Sequence, residues 1–380
     1  MFSRIRGCAA LLAATAMVSG LAVVSVVSAR PASASPSYSP IWVNTPDWSG
    51  STDYMNRPPG LTEDSHGVVH LQGALKRTPG SNDTLLGCTG TLPLCGYAPP
   101  GRTVYTIAHT LGGTYADISI DSGGRIWLIS SPNTNTSFVS LEGISYSVGS
   151  VTGGGPVSQL QLAPNWYSYT PQYNYGASTA SWWEDSDQTV HFEGGVQELT
   201  RTSGYAQLIG WIPTYAAPWQ GDVYTIVHTL GGTYADLHIA PDGSIYLLPS
   251  GNTNAGFVSL EGVTYSRLGA AGFHPFGPAA GWSAATCCGS APLGWYKDPD
   301  GIVHLEGGVT QGAGGSNQIA TIDPSAAPPA NVFTIVHTYG GTYADLMITS
   351  GGAISVIDAT GAPAATNPSF VSLDGVTYQR

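Results

Sequence analysis

His109-Thr110-Leu111-Gly112-Gly113-Thr114-Tyr115-Ala116-Asp117 recurs letter for letter at 228–236 and, with one change, at 337–345, where Tyr339 replaces the leucine. Each copy is followed by a turn, a short apolar stretch and a closing segment that reads Phe-Val-Ser-Leu-Glu/Asp-Gly. The copies lie a whole domain apart, far more than the roughly 20–50 residues of a solenoid repeat. The chain is therefore one design used three times.

Within each unit the hydrophobic pattern has period two, and glycine, proline and Asp-Gly pairs interrupt it. In the first unit this predicts strands at 68–75, 104–110, 115–120, 125–129 and 138–146. Asp242-Gly243 is a strong hairpin signal at the matching turn of the second unit. No amphipathic helix of useful length is visible. We predict an all-β fold of three tandem β-sandwich (jelly-roll-like) or small barrel domains.

Alignment of the copies sets the domain boundaries. We place a signal peptide at 1–34, the first β repeat domain at 35–148, a Gly/Pro linker at 149–158, and the second and third repeat domains at 159–267 and 268–380. Each unit is long enough to bury a core of its own.

The N-terminal stretch reads as an export signal. Arg4 and Arg6 precede a long apolar run, and Ala32-Ser33-Ala34 offers a small-residue cleavage site. We predict a secreted, extracellular protein; the alternative is a leader retained as an anchor. No later segment is apolar enough to span a bilayer.

The charge balance excludes one class of partner. The chain has 12 basic and 24 acidic residues, and cleavage would remove three arginines, leaving 9 against 24 and a net charge of −15. Nucleic acid binding needs clustered Lys and Arg, which this chain lacks. We therefore predict no nucleic acid partner.

Four cysteines follow the leader: Cys88, Cys95, Cys287 and Cys288. An even number in an exported chain favours disulfide bonds, and Cys88 and Cys95 flank one loop. Cys287 and Cys288 would form a vicinal bridge or pair elsewhere. The gap between Cys88 and Cys95 fits a zinc finger poorly, so we predict neither a metal site nor a cofactor.

Repeated polar residues divide into two sets. Alternation places His70, His191, Glu193, His304 and Glu306 opposite the apolar face, facing solvent or a neighbouring unit. His109 shares a face with apolar residues and would contact Tyr115 or Asp117 at the edge of the core. The paired glycines form tight turns that require positive φ; they are Gly112, Gly113, Gly231, Gly232, Gly340 and Gly341.

The pattern does not favour hydrolysis, metal binding or nucleotide binding. A hydrolase could use the recurring His109, Asp117 and Glu142, but no Gly-x-Ser-x-Gly elbow occurs and no cysteine recurs in all units. A metal shared by His-x-Glu pairs conflicts with Gln72 at the first unit's position. Nucleotide-binding glycine motifs are missing. We predict no enzymatic activity and no catalytic residues.

The segments ahead of the His-bearing strands vary between units and are rich in aromatic residues. Aromatic faces beside neutral amides and hydroxyls suit sugar rings. The alternative is that these side chains simply pack in a core or between units. The candidate ligand-binding residues are Trp166, Tyr173, Trp182, Trp183, Trp282, Trp295 and Tyr296.

The order of motifs in each unit resembles the C-terminal β-rich domains of phage tail-fibre or receptor-binding proteins. The matching residues in the second unit are Trp166, Val190 to Gly194, Asp242-Gly243, and Val258 to Tyr265. The resemblance implies an all-β fold, assembly as trimers and attachment to surface glycans. It also suggests that the three units of this chain pack as a pseudo-trimer, with His70, His191 and His304 near unit interfaces.

We predict a secreted, non-enzymatic adhesion or carbohydrate-binding protein whose partner is a cell-surface or extracellular glycan. The alternatives are a structural envelope or matrix protein that acts by self-association and, third, a hydrolase that uses the repeated His and Asp/Glu residues. Exposed aromatic clusters would favour binding, and their burial would favour the structural role. The oligomeric state stays open.

Overall fold

The computed structural model describes residues 37–90, 95–129, 134–149, 155–169, 176–199, 206–250, 253–267, 272–285, 289–357 and 369–380. The predicted signal peptide, Tyr173, Cys287 and Cys288 lie outside these ranges, as do residues 150–154 of the predicted linker. The described chain is all-β, as predicted, and its single helical element is a 3₁₀ turn at Asp53–Met55. Within the same ranges no helix is long and apolar enough to cross a membrane.

Each unit contributes eleven or twelve strands. Those of the first unit are β1 (Ser39–Pro40), β2 (Trp42–Val43), β3 (Trp48–Ser51), β4 (Gly60–Glu63), β5 (Val68–Gln72), β6 (Ala74–Arg77), β7 (Leu85–Cys88), β8 (Val104–Thr110), β9 (Thr114–Ile120), β10 (Arg125–Ile129), β11 (Val139–Ser140) and β12 (Ser145–Ser147).

The second unit repeats them as β13 (Ser158–Gln159), β14 (Gln161–Leu162), β15 (Trp166–Ser168), β16 (Ser181–Glu184), β17 (Thr189–Glu193), β18 (Gly195–Glu198), β19 (Gln207–Trp211), β20 (Val223–Thr229), β21 (Thr233–Ile239), β22 (Ser244–Pro249), β23 (Val258–Ser259) and β24 (Thr264–Ser266).

The third unit has β25 (His274–Pro275), β26 (Trp282–Ala284), β27 (Gly294–Lys297), β28 (Ile302–Glu306), β29 (Gly308–Gln311), β30 (Gln318–Thr321), β31 (Val332–Thr338), β32 (Thr342–Ile348), β33 (Ala353–Ile357), β34 (Val371–Ser372) and β35 (Thr377–Gln379).

Every unit contains a small four-stranded sheet and a large, nearly closed barrel-like sheet. The small sheets have the orders β1-β4-β5-β12, β13-β16-β17-β24 and β25-β27-β28-β35. The large sheets are β2-β7-β10-β9-β8-β11-β6-β3, its counterpart β14-β19-β22-β21-β20-β23-β18-β15, and the seven-stranded β26-β29-β34-β31-β32-β33-β30. The third unit replaces its missing edge strand with one bridge between Pro278 and Ala320.

A tryptophan closes each large sheet on itself. The backbone N–H groups of Trp48, Trp166 and Trp282 donate across the short turn between the two edge strands, at 2.9 Å, 2.9 Å and 3.0 Å. The three side chains are buried in the separate cores of their units, which apolar residues from both sheets fill. Burial of apolar area on this scale is the main force that stabilises each unit.

Two predicted strands are divided in the structure. The predicted strand 68–75 breaks at Gly73, so β5 belongs to the small sheet and β6 to the large one. Gly73 has φ of 82°, a conformation that costs other residues energy. The predicted strand 138–146 breaks at a turn between β11 and β12 in the same way. The predicted hairpin strands are confirmed: 104–110 is β8 and 125–129 is β10.

The Cys88–Cys95 disulfide is present and closes the loop after β7. Arg125 of β10 pairs in register with Cys88, and Trp42 of β2 pairs with it from the other side. The bridge is a local feature of the first unit, because neither of the other units has a cysteine at this position.

The three units pack around a common pseudo-threefold axis. Their long hairpins β8–β9, β20–β21 and β31–β32 meet there, and Tyr115, Tyr234 and Tyr343 form an edge-to-face triangle with centroids 5.2–5.4 Å apart. Each phenol donates to the glycine turn of the next unit, to the carbonyls of Gly232, Gly341 and Gly113 respectively. The constant Gly-Gly-Thr-Tyr sequence therefore builds the axis.

Candidate functional site

Three seams between units surround the axis: the first seam joins units one and two, the second joins units two and three, and the third joins units three and one. A histidine–aspartate pair crosses each seam. Nδ1 lies 2.6 Å from Oδ1 in His228–Asp117, 3.0 Å in His337–Asp236 and 3.2 Å in His109–Asp345. His109 lies opposite Tyr115 of its own unit, but the aspartate beside its ring is Asp345 of the third unit and not Asp117.

The hairpin register places the two residues of one unit diagonally. His109 lies opposite Tyr115 across the β8–β9 ladder, whereas Asp117 lies opposite Ile107. Each histidine nitrogen lies beside the aspartate of a neighbouring unit instead. All three aspartates are buried, and burial raises their pKa while the facing histidine lowers it.

The closing segment also binds the seams. The hydroxyl groups of Ser140, Ser259 and Ser372 donate to the carbonyls of Phe333, Tyr105 and Tyr224 in the neighbouring unit, at 2.7–3.0 Å. Two residues later, an acid accepts the N–H of the glycine at which the long strand breaks. These 2.8 Å bonds join Glu142 to Gly73, Glu261 to Gly194 and Asp374 to Gly307.

Each seam also contains a three-ring stack. In the first seam Tyr105 stacks on His228 at 5.3 Å and meets Phe257 edge-on at 5.4 Å. Tyr224, His337 and Phe370 repeat the arrangement in the second seam, and Phe333, His109 and Phe138 repeat it in the third. Most of the residues that recur in the sequence therefore hold the ring of units together.

The seams differ in what covers this stack. In the first, Tyr169 packs on Phe257 at 5.0 Å; in the second, His238 stacks on Tyr224 at 4.6 Å. The third seam has Met347 at the position of His238. Of the described residues, those of the 3₁₀ turn cover it at one side, where Tyr54 is 54% exposed and Met55 68% exposed.

The third seam opens as an apolar pocket of about 340 Å³. That volume is in the range of sites for small organic ligands. Aromatic and aliphatic side chains form most of its wall: Tyr54, Met55, Leu111, Phe138, Phe333, Met347 and Ile357. His109, Asp345 and Asn331 are the polar side chains in the lining, so the pocket combines an apolar wall with a few fixed polar groups.

A covalent hydrolytic mechanism has no nucleophile among the described residues of this pocket. His109 Nδ1 and Asp345 Oδ1 lie 3.2 Å apart, but none of the described lining residues is a serine, threonine, cysteine or lysine. A covalent mechanism needs such a nucleophile beside the base.

Buried acids lie deeper in each seam. Burial raises the pKa of Glu142 and of Glu261 to about 7, and the charges of Arg57 and Arg102 oppose this rise. Burial and the nearby Asp374 raise the pKa of Glu306 to about 8. Ordinary glutamates titrate near 4.5, so these side chains are protonated in the folded chain at a pH at which the unfolded chain has lost the proton.

These shifts predict a stability that falls with rising pH. Because the folded-state pKa is raised, the folded chain binds more protons than the unfolded chain between about 4.5 and 8, and the free energy of unfolding should fall across that window. Urea unfolding between pH 5 and 8.5 measures it. Glu306→Gln should flatten the curve above pH 7, and a curve equally steep in the variant would contradict the assignment.

The predicted sugar-binding aromatic residues are internal. Trp166, Trp182, Trp183, Trp282, Trp295 and Tyr296 are 1–6% exposed. They lie in strands β15, β16, β26 and β27, where they pack against the cores or stack on neighbouring histidines. A ring this buried presents no face to a sugar, so the pocket in the third seam replaces these residues as the candidate binding site.

The histidines predicted to face solvent or a neighbouring unit contact aspartates of their own units. His70, His191 and His304 lie 3.0, 2.9 and 3.2 Å from Asp64, Asp185 and Asp298 at the turn before their strand. Glu193 instead crosses the first seam, where Arg102 contacts it at 3.2 Å. Glu306 lines a small cavity in the second seam.

A second meeting point on the axis was not foreseen. The turns after β4, β16 and β27 converge there, and His66 lies within 3.9 Å of Asp185, Asp187 and Asp300. His66 Nε2 is 3.0 Å from the hydroxyl of Ser186. The sequence contains one signal of this meeting point. An aspartate begins the turn before the His-bearing strand in all three units.

The glycine predictions agree with the backbone: all six paired glycines have positive φ, between 70° and 83°. The relation to phage tail-fibre domains stays a prediction. No protein-family model matches this chain, and comparison with curated proteins finds no similar sequence.

Proposed function

We propose that the protein is a secreted, non-enzymatic binding protein, and that its ligand places an apolar group in the pocket of the third seam. The observation that carries this proposal is the pocket itself. The three seams differ in what covers their aromatic stacks, and among the described residues this seam keeps a pocket open beside Phe138 and Phe333. Binding sites for small ligands are typically concave and mostly apolar, with a few polar groups that fix orientation.

The chemistry of the lining selects the ligand class. An aromatic ring or a short acyl group would contact Phe138, Phe333 and Met347, and burial of its surface supplies the driving force. The side chain of Asn331 fixes this wall, because it donates to the carbonyl of Tyr54 and accepts from the N–H of Ser350. A glycan would fit through an apolar substituent or the apolar face of one sugar, which keeps adhesion to a surface glycan as the biological setting of the proposal.

Two equivalent leucines provide a matched test. Leu111 lines the pocket, whereas Leu230 occupies the same turn position in the second unit and packs in the first seam. Leu111→Gln should weaken binding of an uncharged apolar dye such as N-phenylnaphthylamine about five- to tenfold, which corresponds to about 1 kcal/mol of lost apolar contact. Leu230→Gln should leave dye affinity unchanged.

Dye fluorescence titration measures both variants. Equal losses in both, or no loss in either, would contradict the pocket assignment. A glycan array on the purified protein then identifies the natural ligand class. Hits that weaken in Leu111→Gln would support adhesion through this pocket.

The burial of the candidate aromatic residues favours a second candidate function, that of a structural protein acting by self-association. Large apolar side chains that remain outside include Trp219 and Tyr215, which are 58% and 63% exposed. If this function is the main one, sedimentation at increasing concentration should show oligomers, and Trp219→Ser should reduce them. A monomer at all concentrations would remove this candidate.

A further inference from the structure

The second seam contains a small cavity of about 20 Å³, which has room for one ion or one water molecule. Two carboxylates, of Glu306 and Asp374, line it together with the hydroxyl-bearing side chains Tyr296, Thr264, Ser266 and Thr377. His304 also lines it, with its Nε2 3.2 Å from Asp298, and no lysine or arginine is among the described lining residues. The two carboxylates therefore have no guanidinium or ammonium group beside them.

The equivalent positions in the other seams do have that charge. In the first seam Arg102 contacts Glu193 at 3.2 Å and Glu261 at 3.1 Å, the counterparts of Glu306 and Asp374. In the third seam Arg57 donates to Gln72, the counterpart of Glu306, and its charge lowers the pKa of Glu142. A guanidinium group thus occupies this place in two seams of three.

The chain itself blocks an arginine in the second seam. Alignment on Val104 and Val223 puts Gly221 where the first unit has Arg102. A Cβ atom at Gly221 would lie 2.4 Å from the backbone nitrogen of Ala291, so no side chain fits. The position that supplies the positive charge in the first seam therefore cannot supply it in the second.

Glu306 is the group left without a partner. It is only 7% exposed, and no hydrogen bond or ion pair engages its carboxylate among the described residues. Asp374 by contrast accepts bonds from the N–H of Gly307 and the hydroxyl of Ser372, both at 2.8 Å. An acid buried without a partner is costly unless a ligand or a proton compensates it.

We propose that this cavity is a cation site in which Glu306 and Asp374 bind a hard divalent ion, Ca²⁺ in the first instance. The available donors are oxygen atoms, which suit Ca²⁺ or Mg²⁺ rather than softer metals. Mg²⁺ usually keeps several of its water molecules, for which the cavity is too small, whereas Ca²⁺ accepts ligands from the protein in flexible geometry. Two carboxylates neutralise the charge of one such ion. The site is independent of the proposed apolar pocket in the third seam.

Terbium luminescence tests the site directly, because Tb³⁺ substitutes for Ca²⁺ and Tyr296 in the lining can sensitise it. The wild-type protein should show a Tb³⁺ signal that Ca²⁺ displaces. Glu306→Gln should reduce the affinity of that component at least tenfold. This substitution introduces the residue that the first unit has at the same position, so the fold should be retained, and circular dichroism checks this.

Two matched variants separate this site from others. Glu193→Gln alters the equivalent acid in the arginine-filled first seam and should leave Tb³⁺ binding unchanged. Asp300→Asn alters the acidic cluster around His66 and should also leave the Ca²⁺-displaceable signal in place. A signal that survives Glu306→Gln, one that disappears in Asp300→Asn instead, or no signal at millimolar ion concentration would overturn the proposal.

Discussion

Replacing His228 with alanine is expected to lower the free energy of unfolding by about 3–5 kcal/mol, because it leaves the carboxylate of Asp117 buried without a partner. His228 is 4% exposed and Asp117 is fully buried. The substitution also removes the ring that stacks on Tyr105 at 5.3 Å. Urea unfolding followed by circular dichroism measures the loss.

A double-mutant cycle isolates the pair. Asp117→Ala combined with His228→Ala should cost less than the sum of the two single changes, because the double variant buries no unpaired acid. His274, an exposed histidine that stacks on Trp295, is the control. His274→Ala should cost less than about 1 kcal/mol. A similar loss for His228→Ala and His274→Ala would refute the role assigned to the pair that crosses the seam.

Two glycines with the same backbone angle should respond very differently to alanine. Gly194 and Gly231 have φ of 83° and 82°. At Gly194 an added Cβ atom would lie 2.4 Å from the carbonyl oxygen of Thr179, whereas at Gly231 it would meet nothing within 4 Å. Gly231→Ala should therefore cost only the conformational strain of about 1–2 kcal/mol.

Gly194→Ala should cost about 3–5 kcal/mol, because the backbone must also move away from Thr179 and thereby weaken the bond from the Gly194 N–H to Glu261. Thermal and urea unfolding compare the two variants under one condition. If both variants lose the same stability, the close approach of Gly194 to the backbone of Thr179 does not restrict this position in the way that the structure indicates.

The sequence predicts those parts of the fold that depend on local patterns within one unit. The β8–β9–β10 meander and the glycine turns follow from alternation and turn chemistry, which are local. The division of 68–75 into β5 and β6 was missed because Gly73 interrupts a run whose apolar pattern continues across it. Nothing in the alternation reveals that the chain passes from one sheet to the other at that glycine.

The candidate site is formed by contacts between units, and a repeated sequence does not show which unit a residue contacts. A histidine and an aspartate that recur in every unit can pair within a unit or with the next one, and the spacing is identical in both cases. The structure decides for the second arrangement. The positions of Met347 and Gly221 differ in all three units, so the sequence does not mark them as special, and only the structure shows the pocket and the cavity beside them.

The pseudo-threefold ring has an evolutionary consequence. A homotrimer with the same architecture would copy any substitution into three places at once, so a change useful at one junction would have to be tolerated at the other two. Fusion of the copies into a single polypeptide removes that coupling. Selection can then act on each seam separately, so the proposed apolar pocket and the proposed cation site can each arise in a single seam. The histidines, aspartates and tyrosines that all three units share preserve the common frame.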